Sequence, residues 1–78
     1  MPTVSPYGPY RLYFFSDEGH EPPHVHVERA GAKAKFWLSP ATVAHSRGFA
    51  AHELGRVRRI VRTRAAELRR AWDERFGP

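Results

Sequence analysis

Apolar positions in the last third of the chain, Leu54, Val57, Val61, Ala65, Leu68, Trp72 and Phe76, follow one another at spacings of 3, 4, 4, 3, 4 and 4. This is a single stripe down an α-helix. The spacing predicts one long C-terminal helix over about residues 50–76. Gly77-Pro78 ends it, because glycine suits a left-handed cap and proline cannot continue a helix. Its start is weakly marked: Ala50 stands where Ser, Thr, Asp or Asn would cap, and Gly55 weakens the first turn by about 1 kcal/mol relative to alanine.

Upstream the period changes from helical to alternating. "YRLYFFSD", Tyr10 to Asp17, is rich in aromatic residues and lies between Gly8-Pro9 and Glu18-Gly19, which predicts a strand. Tyr10, Leu12 and Phe14 share one of its faces, and Arg11, Tyr13 and Phe15 the other. "HVHVER" and "AKAKFWL" both alternate around Ala30-Gly31. A two-residue turn there fixes a hairpin register. Arg29 meets Ala32, Val27 meets Ala34 and Val25 meets Phe36; on the reverse face Glu28 meets Lys33, His26 meets Lys35 and His24 meets Trp37. Opposite charges across the sheet at Glu28 and Lys33 support this register. Pro40 ends that strand, and Thr42 to Ser46 is expected to return as a short fourth one before Gly48. The prediction is a single α+β domain over 1–78: an antiparallel three- to four-stranded sheet, about residues 8–46, packed against the long helix.

Composition narrows the classes of function. A chain of 78 residues buries only about 60% of the surface its unfolded form exposes, so a protein partner or a homo-oligomer is expected. With no cysteine, disulfides and thiolate metal sites are excluded. No apolar run approaches the roughly 20 residues of a membrane-spanning helix, and "MPTVSPYGPY" lacks the pattern of a signal peptide. A cytoplasmic bacterial protein without membrane contact and without a cofactor is therefore expected.

Charge is uneven. Residues 1–50 carry five Lys or Arg against four acids, while residues 51–78 carry eight arginines against four. Four of the five net positive charges thus lie on the predicted helix. At 100° per residue, Arg58, Arg59, Arg62, Arg69 and Arg70 share one flank of it. The bland reading is a solvated face whose arginine stems cover apolar surface. The functional reading is a surface for an acidic partner, nucleic acid or protein, because the guanidinium fork fits phosphate and carboxylate.

The stretch "GHEPPHVHVERAG" concentrates three of the five histidines, His20, His24 and His26, around a proline pair. With the aromatic strand before it and "AKFWL", "GF", "EL" and "AW" after it, the "EPPHVHVE" core resembles the bacterial domain-of-unknown-function family 4160 (DUF4160). The resemblance runs from Pro2 to the C-terminus, its core falling on Pro22, Pro23, His24, Val25, His26 and Val27. It implies a role as one half of a toxin–antitoxin-like gene pair and supplies no mechanism.

Three readings of the histidines stay open. As metal ligands, His24 and His26 project about 6.5 Å apart from one strand face, with His20, Glu21 or Glu28 as a third donor. As a metal-independent ribonuclease-like site, His24 and His26 move protons while Lys35, Arg11 or Arg29 holds the phosphate, and Trp37 or Tyr13 stacks a base. As structure, His24 stacks on Trp37, His26 bonds locally, and both lie on the face away from the helix. One helix covers one face of a sheet, so that reading leaves Trp37 and Tyr13 for a partner.

Overall fold

The computed structural model describes residues 3–15 and 19–77, with backbone only for residues 3–7. Five strands run in the order β1 (Thr3–Tyr7), β2 (Tyr10–Tyr13), β3 (His24–Arg29), β4 (Ala32–Leu38) and β5 (Ala41–Arg47). They form one antiparallel sheet in which each strand lies beside its neighbours in sequence. Two helices follow, α1 (Ala51–Thr63) and α2 (Ala65–Phe76). The fold is α+β.

The β3–β4 hairpin has the register set by an Ala30-Gly31 turn: Arg29 faces Ala32, Val27 faces Ala34, Val25 faces Phe36, and His24 faces Trp37. Both turn residues take positive φ, 49° at Ala30 and 86° at Gly31. Paired positive φ values match the twist of the flanking strands. The return strand β5 is present, with an irregularity in its pairing between Lys35 and Phe36.

Three expectations require correction. The sheet has five strands, because Thr3–Tyr7 pairs with β2 despite Pro6. Its place at the sheet edge tolerates a residue that cannot donate to a ladder. The strand expected over Tyr10 to Asp17 ends at Tyr13, and Ser16 and Asp17 lie outside the described residues. The single long helix is two helices, broken at Arg64, whose φ of −103° and ψ of 12° leave the helical region. The break lets one apolar stripe follow a curved target: α1 packs on β4 and β5, α2 on β3 and β4.

The core lies between one sheet face and the helices. Leu12, Val25, Val27, Ala34 and Phe36 supply the sheet side, with Val57, Val61, Leu68 and Trp72 opposite. Burying a valine, leucine or phenylalanine side chain contributes about 1.5–3 kcal/mol. The start of α1 has no side-chain cap at Ala50. The end of α2 is well formed: Gly77 takes φ 88°, and its N–H donates to the Asp73 carbonyl at 2.8 Å.

Candidate functional site

The sheet face turned from the core is built by strand alternation. Register places Arg11 beside Glu28, Tyr13 beside His26, His26 beside Lys35, and Lys35 beside His45. An aromatic layer and a set of cations therefore occupy the same surface.

His26 is its centre. The imidazole stacks on Tyr13, with ring centroids 5.5 Å apart and planes at 19°, and meets Phe15 edge-on at 4.6 Å. The Arg11 guanidinium lies 4.8 Å above the Tyr13 ring and donates to Glu28 Oε1 at 2.9 Å. The Tyr13 hydroxyl donates to the same oxygen at 3.3 Å. The Arg11 hydrogen bond is the main cause that holds the Glu28 carboxyl below its ordinary range. Burial opposes it, and the charges of Arg11 and Lys33 assist it. On the other side, Lys35 Nζ donates to Glu21 Oε1 at 2.6 Å and sits 4.7 Å above the Trp37 ring. Its side chain is only 13% exposed.

His24 differs from its neighbour. It is fully buried, with its ring 4.9 Å from Trp72 of α2, 5.8 Å from Trp37 and 5.3 Å from His26. Its Nδ1 lies 2.9 Å from the Pro22 carbonyl oxygen. A carbonyl only accepts, so Nδ1 carries the hydrogen in this contact. Pro23 is pinned as well, its carbonyl accepting from the Leu38 N–H at 3.1 Å. The proline pair thus docks the histidine run onto the end of β4.

The expectation that both imidazoles lie on the side away from the helical layer therefore holds for His26 and fails for His24. The bend at Arg64 is the physical reason, because it carries Trp72 to the first residue of β3. Trp72 is the core residue that meets His24, and the helical stripe gave no sign of that contact. Gly19 is also close to α2: a Cβ there would stand 2.7 Å from Phe76 Cδ1.

The remaining residues singled out from sequence are dispersed. His20 is exposed, with its Nε2 3.9 Å from Glu21 Oε2. Among the described residues, no group of three His, Asp or Glu side chains could hold a metal ion. On the helices, Arg58 Nε donates to the Ala41 carbonyl at 3.4 Å, and Arg69 pairs with Asp73 at 3.3 Å. Arg59, Arg62 and Arg70 are exposed. The break at Arg64 divides these five arginines between two helices.

Fold and face together define a small basic α+β domain whose helices cover one side of an antiparallel sheet and whose other side is aromatic and charged. The chain belongs to DUF4160, a domain of unknown function, whose family model matches residues 10–73. Comparison with curated proteins finds no match, and comparison with solved structures finds none. Among the described residues, no helix is long and apolar enough to cross a membrane.

Proposed function

We propose that this chain is a non-enzymatic binding module, one half of a toxin–antitoxin-like pair in the bacterial cytoplasm, and that it takes a protein partner on the open face of the sheet. The burial of His24 carries this reading. A proton-transfer pair needs both imidazoles within reach of the substrate. Here one is enclosed by Trp72 and Trp37 and engaged with the Pro22 carbonyl. Lys35, the third member of the ribonuclease-like set, is held by Glu21.

What remains accessible suits binding. Trp37, His26 and Arg11 are partly exposed on one surface, and tryptophan, tyrosine and arginine dominate the energetics of protein interfaces. Tyr13 beneath them is buried and holds His26 and Glu28 in place, and side chains ordered in advance lower the entropic cost of association.

Expression in a bacterial host tests the reading. Wild type and His26→Ala are compared by growth and by the integrity of cellular RNA. Intact RNA in both is expected. Growth arrest with RNA loss that His26→Ala relieves would overturn the binding reading in favour of the nuclease. His24→Ala is unsuitable here, because loss of a fully buried ring lowers stability and so confounds a growth readout.

A further inference from the structure

A second surface lies on the helical side, and its reading does not depend on that of the sheet face. An open groove of 420 Å³ runs between α1 and the β1–β2 turn, with Arg56, Arg59, Ile60, Thr63 and Arg64 on the helix side and Tyr10 opposite. Arg56 and Arg59 are exposed, and neither makes an ion pair or side-chain hydrogen bond among the described residues.

The nearby carboxylates are already engaged. Glu67 pairs with Arg64 at 2.7 Å. Glu53 accepts from the Tyr10 hydroxyl and from Arg29, both at 3.0 Å. Two guanidiniums therefore face the groove with no ion pair among the described residues, about one helical turn apart, and Arg64, paired with Glu67, stands just past the end of α1. Arg56 and Arg59 rise about 4.5 Å apart along the helix axis, so positive charge is concentrated on one turn of the groove wall. A folded protein partner would need an apolar anchor at the centre of its contact. Pro9 and Ile60 give the groove some apolar surface, but Tyr10 on the floor is only 5% exposed, so no large aromatic anchor is offered and the arginines set the preference for an acidic ligand.

We propose that this groove binds the sugar–phosphate backbone of a nucleic acid, with Arg56 and Arg59 as the phosphate-contacting residues. Arginine's planar fork engages phosphate oxygens in pairs. With both arginines assigned to phosphate, the proposed binding is independent of sequence.

Fluorescence anisotropy of the full chain with a labelled 20-base-pair duplex DNA, read from 50 to 200 mM salt, tests this. Arg56→Gln/Arg59→Gln is compared with Arg70→Gln/Arg75→Gln, which removes equal charge from exposed positions of α2. The groove variant is expected to lose about tenfold in affinity at the lower salt, and its salt slope to fall by about 1.8, at roughly 0.9 per phosphate contact. The α2 variant is expected to change far less, and Arg56→Lys/Arg59→Lys to keep most of the slope. Equal losses in both Gln variants, absent or salt-insensitive DNA binding, or tighter groove-dependent binding of polyglutamate would each overturn the proposal. Thermal melts confirm that the variants remain folded.

Discussion

The ring of His24 lies 4.9 Å from the indole of Trp72, so the first histidine of the Pro-Pro-His-Val-His run is an interior residue joined to the second helix. His26, two positions on, stacks on Tyr13 at the edge of solvent. The motif therefore divides into an anchor and a surface group.

That division predicts unequal effects of alanine. His24→Ala leaves a void beside Trp72 and Trp37, at an expected cost of about 3 kcal/mol, the range of large-to-small core changes. His26→Ala removes a half-buried ring, at about 1 kcal/mol. Urea unfolding followed by circular dichroism measures both. Equal, small losses would place His24 outside the core.

The hairpin was legible in the sequence and the bend was not, and the two facts explain each other's consequences. Alternation on both sides of Ala30-Gly31 leaves one register that buries Val25, Val27, Ala34 and Phe36 together, and a slip of one residue would expose them all. The cross-strand pairing of His24 with Trp37 and of His26 with Lys35 followed directly, but not the enclosure of His24 beneath α2. At Arg64, no proline or glycine interrupts a stripe that stays apolar through Phe76, so periodicity reads straight through the break. Past the break, α2 packs on β3 and β4, and there Trp72 meets His24. The first strand was obscured by Pro6, which is tolerated only because β1 is at the edge.

Ala30 is the weak point of the hairpin. An L-residue with a side chain at φ 49° adopts a left-handed conformation at a cost of about 1 kcal/mol, whereas asparagine is favoured before glycine in such turns. Ala30→Asn is expected to raise the melting temperature by about 4 °C. An unchanged or lower value would contradict the turn geometry.

Glu28 contributes to acid sensitivity. Its folded carboxyl titrates below the ordinary 4.5 because Arg11 bonds to its charged form. The stabilisation is therefore complete above the unfolded value and is lost as pH falls through the lower, folded one. The stability difference between wild type and Glu28→Gln is expected to be constant from neutral pH to about pH 5.5, to shrink below 4.5, and to vanish in stronger acid. Denaturant midpoints across this range measure it. A difference that persists unchanged into strong acid would show that Glu28 acts by packing and not by charge.

The separation of anchor from surface is tested most directly by carbethoxylation of the folded protein with diethyl pyrocarbonate, read histidine by histidine by mass spectrometry. His20, His45 and His52 are exposed and are expected to react readily, His26 more slowly, and His24 only after denaturation. Modification of His24 in the folded protein at the rate of His20 would contradict its enclosure by Trp72 and restore the histidine pair as an accessible site.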